Sequence, residues 1–159
     1  MRFPHLLAIV GLALSAATAH ADSRQTVRGD IVIDQKVVRA SIGHSPNSAA
    51  YMTVFNRGGA PDRLMSASCA CAAKVEAHIS EQMDGMMMMS DTGPVVIPSH
   101  GEVTFQPGGR HLMITGLKAR LVDGGRQEIT LTFEHAGAVK ANFDIKANIA
   151  AGGSPTATH

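Results

Sequence analysis

The sequence Ile129-Thr130-Leu131-Thr132-Phe133 alternates apolar and polar residues, and the alternation returns from Val139 to Ile145, beyond the turn signal Ala136-Gly137. Because successive side chains of a β-strand point to opposite faces, each segment has one apolar and one polar face. This pattern is typical of strands that cover a core on one side and meet water on the other. We therefore predict a β-strand at each segment.

Short runs of the same kind recur along the rest of the chain, and none continues at helical spacing for three turns with caps at both ends. Turn signals such as Asn56-Arg57-Gly58-Gly59 and Asp123-Gly124-Gly125 separate them. Many short strands at near-regular spacing indicate an all-β sandwich or barrel. The predicted strands are Thr26–Ile33, Lys36–Ser41, Ala49–Asn56, Arg63–Ser68, Lys74–Gln82, Met86–Ser90, Glu102–Phe105, His111–Ile114, Glu128–Glu134 and Val139–Lys146.

The composition limits the functions that this chain can serve. Its 159 residues include 14 Lys and Arg against 13 Asp and Glu, a formal net charge of +1, which gives no electrostatic footprint for nucleic acid. Charged residues make up 17% and apolar residues 45%, so the composition is that of a chain with a core and not of a disordered one. Methionine is over-represented, with nine residues.

The first 21 residues have the form of a secretory signal peptide. Arg2 precedes a short apolar run that ends at the cleavage pattern Ala19-His20-Ala21, and Ala17-Thr18-Ala19 offers an alternative site. We therefore expect residues 1–21 to be removed on export, residues 22–146 to form one β domain outside the cytosol, and residues 147–159 to form a flexible tail.

Cys69 and Cys71 are the only cysteines of the sequence, and one residue separates them. Export places them in an oxidising compartment, but a bridge across so short a loop constrains the unfolded chain little. Three interpretations stay open: two small buried residues, a reducible disulfide, or a pair of thiolates for Cu(I). A periplasmic thiol redox protein that uses this pair is therefore one alternative function.

The methionine run Met86–Met89 follows Asp84-Gly85, a dipeptide typical of two-residue hairpin turns. His78 and Met89 are then diagonal neighbours on one face of the hairpin, which Met87 shares. The other two methionines of the run point to the opposite face, towards core or solvent. The pairs predicted by counting outward from the turn are Met83 with Met86, Ser80 with Met89, and His78 with Asp91.

A second His and Met pair occurs in His111-Leu112-Met113, where the His and the Met share one face of a strand and Leu112 points to the core. With His78 and Met89 they make a set of two imidazoles and two thioethers. These soft ligands suit Cu(I) and poorly suit Ca²⁺, Mg²⁺ or Zn²⁺. The competing interpretation is that the methionines fill gaps in the core, as methionine often does.

The spacing of these four residues and the sequence around them resemble the periplasmic copper chaperone family PCu(A)C. The similarity extends over about residues 30–146 and includes Ala49-Ala50-Tyr51-Met52-Thr53-Val54-Phe55-Asn56 and Pro107-Gly108-Gly109-Arg110-His111-Leu112-Met113. The resemblance implies a cupredoxin-like Greek-key β-barrel without enzymatic activity. It also implies a protein that binds Cu(I) near its surface and passes it to the Cu(A) centre of cytochrome c oxidase or to another copper protein. Separately from the resemblance, we expect a monomer. The ligands implied by position are His78, Met89, His111 and Met113.

Some residues depart from the family pattern or lie outside it. Family members commonly carry Glu or His directly after the first ligand, where this chain has Ile79, so support for His78 from that position is missing. A blue-copper electron carrier is disfavoured because no Cys lies near His111, whereas a copper storage or resistance protein remains an alternative. The residues expected to be ordinary exposed groups are Glu76, Asp91, His44, His100 and His135.

Overall fold

The computed structural model describes residues 25–149, and within this range the chain forms strands, turns and loops, with no helix. Consequently, none of these residues belongs to a helix able to cross a membrane. The predicted signal peptide and residues 150–159 of the predicted tail lie outside the described range. The strands are β1 (Thr26–Arg28), β2 (Ile31–Arg39), β3 (Asn47–Asn56), β4 (Asp62–Ser68), β5 (Ala72–Met83), β6 (Met86–Asp91), β7 (Val95–Ile97), β8 (Glu102–Phe105), β9 (Arg110–Leu117), β10 (Arg126–Phe133) and β11 (Gly137–Lys146).

Seven of the strands close into a barrel. The order around the ring is β2, β11, β10, β4, β5, β9 and β3, and β3 pairs with β2 to complete it. The β11–β2 pairing is parallel, and the other pairings of the ring are antiparallel. Each remaining strand adds to one strand of the ring: β1 to β2, β6 to β5, β7 to β4 and β8 to β3. The predicted all-β, cupredoxin-like barrel is confirmed.

The two alternating segments form β10 and β11, and their apolar residues fill the barrel as predicted. Ile129, Leu131 and Phe143 are fully buried, whereas their neighbour Lys140 is exposed. The hydrophobic effect over this interior is the main source of the stability of the fold. Other large side chains of the core are Ile31, Ile33, Met52, Ile97, Phe105, Leu112, Ile114 and Phe133.

Three details of the strand pattern differ from the sequence prediction. The predicted strand Thr26–Ile33 is divided by a turn at Gly29-Asp30 into β1 and the start of β2. We expected separate strands on either side of residues 34–35, but β2 is continuous because its pairing with β3 resumes beyond an irregularity in which Gln35 has a φ of 51°. β7 was not predicted. It has only three residues, too few for an alternating pattern to be recognised.

Asp62 holds the β10–β11 turn against β4. Its buried carboxylate accepts backbone N–H groups from Arg63 at 2.7 Å, His135 at 2.9 Å and Ala136 at 3.0 Å. Burial on its own would raise the pKa of Asp62, but these hydrogen bonds and the nearby His135 lower it below the ordinary value of 3.8. The ionised carboxylate therefore stabilises this end of the barrel.

Cys69 and Cys71 form a disulfide in the connection between β4 and β5. Both are partly buried against the core, and the Cys69 sulfur accepts the backbone N–H of Cys71. The sequence left three interpretations of this cysteine pair open, and the structure shows the disulfide. The bridge lies at the start of β5, and His78 lies seven residues beyond Cys71, roughly 23 Å along an extended chain.

Candidate metal centre

The β5–β6 hairpin has the predicted two-residue turn. Asp84 and Gly85 both have positive φ values, 50° and 80°, which is the conformation of a type I′ turn and which glycine adopts without steric cost. The pairs counted outward from this turn are confirmed as Met83 with Met86, Ser80 with Met89, and His78 with Asp91. His78, Met87 and Met89 therefore share one face of the hairpin.

The other side of β5 pairs with β9, and this pairing brings the two predicted histidines together. His78 lies directly opposite His111, with ring centroids 6.0 Å apart and ring planes inclined by 58°. A bond from an imidazole nitrogen to a metal is about 2 Å long, so two rings at this separation can bind one ion between them. Met113 shares this face because it lies two residues after His111.

Three of the four predicted ligands line one shallow depression of about 320 Å³. Met89 reaches it from β6, and His111 and Met113 reach it from β9. His111 is buried, Met113 is half-buried, and the Met89 side chain is exposed. Of these three predicted ligands, His111 and Met113 thus lie in the barrel wall, and Met89 lies at the surface.

The imidazole nitrogens have the hydrogen bonding expected of metal ligands. His111 Nδ1 lies 3.0 Å from the Gly109 carbonyl oxygen, which can only accept, so Nδ1 carries the proton and Nε2 keeps a free lone pair. His78 Nδ1 is buried, and it has no hydrogen-bond partner among the described residues. A buried polar atom without a partner is costly unless a ligand satisfies it. Both rings therefore offer a nitrogen to an ion.

Glu76 supports His78, which corrects the expectation that it is an ordinary exposed charge. It is half-buried, and its carboxylate lies 3.7 Å from His78 Nε2 and 2.6 Å from Lys74 Nζ. The hydrogen bond to Glu76 and the attraction between the two charges raise the pKa of Lys74. At 3.7 Å the carboxylate is too far from the ring nitrogen for a hydrogen bond, but its negative charge favours a cation bound to the imidazole. The neighbouring polar group that Ile79 cannot supply is thus Glu76, two residues before His78.

Asp91 lies on the other side of His78 and is exposed, as expected. Its ligand atom and those of Glu76 and His78 all lie within 4.8 Å of one another. Asp91 also accepts the backbone N–H of Gly93 at 2.7 Å, which orders the end of β6. Glu76 and Asp91 thus bring two negative charges to the surroundings of His78, and Lys74 offsets one of them. The other histidines of the described range 25–149, His44, His100 and His135, are exposed, as expected.

The four methionines of β6 are not core residues. Met86, Met87, Met88 and Met89 are 67%, 63%, 54% and 56% exposed. Filling of gaps in the core, the competing interpretation of the run, is therefore excluded, because side chains so exposed fill no interior volume. Four thioethers lie in solvent on a single strand.

Comparison of the sequence with known families and proteins gives three matches. The profile of the family described as "Putative lipoprotein LpqE-like" matches residues 31–145. The chain is 26% identical over 130 residues to "Putative lipoprotein Lxx21020" of Leifsonia xyli subsp. xyli (strain CTCB07), which covers 80% of this chain and 78% of that protein. It is 32% identical over 94 residues to "Uncharacterized protein RP573" of Rickettsia prowazekii (strain Madrid E), which covers 58% of this chain and 51% of that protein.

Solved structures with the same fold include two that contain copper according to their descriptions. The "Copper-bound PCuAC domain from PmoF2" has a TM-score of 0.67 and 28% identity, over 78% of this chain and 98% of that domain. The solution structure of CuI-DR1885 from Deinococcus radiodurans has a TM-score of 0.61 and 30% identity, over 84% of this chain and 87% of that protein.

Proposed function

The chain belongs to the LpqE-like family, which is the PCuAC family of copper-binding domains, and on that premise we propose that it is a periplasmic copper chaperone. It holds Cu(I) and passes it to an acceptor protein. The acceptor that fits the family resemblance is the Cu(A) subunit of cytochrome c oxidase, or another copper chaperone. The protein works as a monomer, carries the metal as cargo and is not an enzyme.

The proposed ligands are His78, Met89, His111 and Met113. The observation that carries this proposal is the pair of imidazoles 6.0 Å apart, one of which has a buried Nδ1 without a partner, beside a depression lined by both thioethers. Two imidazoles and two thioethers prefer Cu(I) to hard cations, which need oxygen ligands. The neighbouring carboxylates of Glu76 and Asp91 favour a cation at this position.

Transfer to an acceptor proceeds by ligand exchange. Met89 lies at the surface, on a strand that pairs with β5 alone among the strands of residues 25–149. A ligand of the acceptor displaces the Met89 thioether first, so that a bond from copper to the acceptor replaces the bond to Met89. His78, Met113 and the buried His111 then leave in turn. The copper stays Cu(I) throughout, so the step needs no electron donor.

The periplasmic location follows from the predicted signal peptide, residues 1–21. We propose that the exported domain comprises residues 22–146, followed by the flexible tail 147–159. Export matches the names of the family and of the Leifsonia relative, both of which describe lipoproteins. It also matches the disulfide at Cys69 and Cys71, since disulfides persist in oxidising compartments.

A thiol redox protein is the second candidate, and the observation in its favour is that Cys69 and Cys71 form a disulfide. The bridge lies directly before the first residue of β5, whereas His78 lies in the middle of that strand. Reduction of the pair would therefore leave the four proposed ligands in place. Substitution of the two cysteines alone and substitution of the proposed copper ligands alone therefore distinguish the two candidate functions.

Titration of the protein with Cu(I) against a chromophoric Cu(I) chelator, followed by X-ray absorption of the loaded protein, tests the chaperone site. We expect tight binding of one equivalent with two nitrogen and two sulfur scatterers, and loss of this equivalent in a variant with His111→Gln and Met113→Leu. The matched control carries His135→Gln and Met65→Leu, because both of these residues are exposed and lie outside the site. Copper retained by the first variant, or lost equally by the control, would contradict the assignment.

A further inference from the structure

The β5–β6 hairpin extends beyond the barrel wall. Pairing of β5 with β9 ends at Ile79 opposite Arg110, and Ser80 makes one further bond, from its N–H to the Gly109 carbonyl. In the part of the chain that the structure describes, residues 81–83 of β5 therefore pair with β6 alone. The tip of the hairpin is consequently exposed on both faces.

The face of this tip that points away from the proposed copper site carries three thioethers. Met83 and Met86 are directly opposite each other beside the turn, and Met88 lies two residues along β6 from Met86. Their side chains are 55%, 67% and 54% exposed. Glu81 is directly opposite Met88 and is also exposed, so a carboxylate lies beside the three sulfurs.

We propose that Met83, Met86 and Met88 form a second site for Cu(I), separate from the four ligands of the first. Directly opposite residues have Cβ atoms about 5 Å apart, and residues two apart on a strand are roughly 6.6 Å apart. Methionine has three rotatable side-chain bonds, so three such sulfurs can converge on one ion at bond lengths near 2.3 Å. The thioether trio thus has the number and type of ligands that a soft monovalent cation prefers.

The charges around the thioether trio favour a cation. Arg110 is on the same face, but it pairs with Ile79 at the barrel end, and Glu81 lies between Ile79 and Met83 along the strand. Hard divalent cations are poor candidates, because Glu81 and the turn residue Asp84 supply only two carboxylates beside the trio and such ions require six or more oxygen ligands. The proposal therefore commits to a d¹⁰ monovalent ion.

The second site is weaker than the first. Binding must immobilise three flexible and solvated methionine side chains, each of which loses rotamer entropy when ordered. The first site has one buried ligand and one half-buried thioether in the barrel wall. Met88 and Met89 are consecutive on β6, so an ion collected by the trio lies next to a ligand of the first site. Passage of an ion from the trio to the first site depends on the proposed function, whereas binding of an ion by the trio does not.

Titration with Ag(I), which resembles Cu(I) and needs no reductant, tests the trio with the disulfide intact. The protein is labelled with ¹³C at its methionine methyl groups, and the signals are followed by NMR. We expect the first equivalent to move the signals of Met89 and Met113, and a second, weaker equivalent to move those of Met83, Met86 and Met88. The signal of Met65, on β4, serves as the internal reference.

A variant with Met83, Met86 and Met88 all replaced by Leu keeps the volume of these exposed side chains and removes their sulfurs. We expect its stoichiometry to fall from two equivalents to one, with the first unchanged. In the variant with His111→Gln and Met113→Leu, only the weaker equivalent should remain. Absence of a second equivalent in the unmodified protein would overturn the trio alone. If the first equivalent moved the NMR signals of Met83, Met86 and Met88, and if the Leu variant lost that equivalent, both assignments would be overturned.

Discussion

Replacement of Met89 by Leu tests the proposed ligand set most directly, because the neighbouring residue provides a matched control. Met89 and Met88 are consecutive on β6 and are 56% and 54% exposed, but they lie on opposite faces of the hairpin. Both substitutions remove a sulfur and keep the size of the side chain. At exposed positions each should change the free energy of unfolding by less than about 0.5 kcal/mol.

The expected loss of affinity follows from the position of each thioether. Loss of a group that only supports a metal ligand typically weakens binding about 10–100-fold, so loss of a direct ligand should weaken it at least tenfold, or about 1.4 kcal/mol. Met87 lies on the same face two residues towards the tip, roughly 6.6 Å away, and should partly replace Met89. Substitution of Met87 and Met89 together should therefore raise the loss to about 100-fold, whereas Met88→Leu should change affinity by less than about twofold.

The assay is competition with a chromophoric Cu(I) chelator at less than one equivalent of copper, so that only the tighter site is populated. Circular dichroism of each variant checks that the fold is retained. Equal losses for Met88→Leu and Met89→Leu would refute the reasoning, because the register from the Asp84-Gly85 turn assigns them to opposite faces. A larger loss for Met88→Leu would mean that the primary site lies on the other face.

The remaining predictions concern support of the site and of the barrel. Glu76→Gln should weaken Cu(I) binding about tenfold in the same competition assay, because it removes the charge beside His78. The double variant Cys69→Ser, Cys71→Ser should keep its copper stoichiometry under reducing conditions and lose at most about 2 kcal/mol of stability in denaturant unfolding. Asp62→Asn should lower the free energy of unfolding by about 1–3 kcal/mol at pH 7, since its amide cannot accept from all three backbone N–H groups. The pKa of Asp62 is lowered on folding, so its contribution should persist above about 3.8 and fade as the pH falls below that value, which unfolding at a series of pH values would detect.

The hairpin could be predicted residue by residue from the sequence because its register is local. Only a residue that tolerates positive φ suits the second position of the turn, and Gly85 occupies it with a φ of 80°. Once the turn has two residues, every pair along the two strands is determined. The alternation in β10 and β11 was reliable for a similar reason, since one face of each strand is buried.

The sequence could not show that β9 lies beside β5. His78 and His111 are 33 residues apart, and their contact depends on which strands become neighbours when the barrel closes. Resemblance to a family suggested the four ligands together, but the facing imidazoles emerge only from the β5–β9 pairing. The role of Glu76 was missed for the same reason. Its position two residues before His78 puts it on the same face of β5, which was the signal available, but its burial depends on neighbouring strands.

The proposed site joins two parts of the fold that differ in local stability. His111 and Met113 belong to β9, which is hydrogen-bonded on both sides, to β3 and to β5. Met89 belongs to β6, which is hydrogen-bonded on one side only and has all of its residues exposed. Segments with few buried contacts open locally at a lower free energy than the core. In the proposed transfer, a copper ion bound to both parts ties the hairpin to the barrel, and we expect release to begin at β6, where opening removes one ligand while the wall keeps the others in place. We expect this order to let an acceptor bind the ion before the chain has released it, so that copper need not pass through solvent.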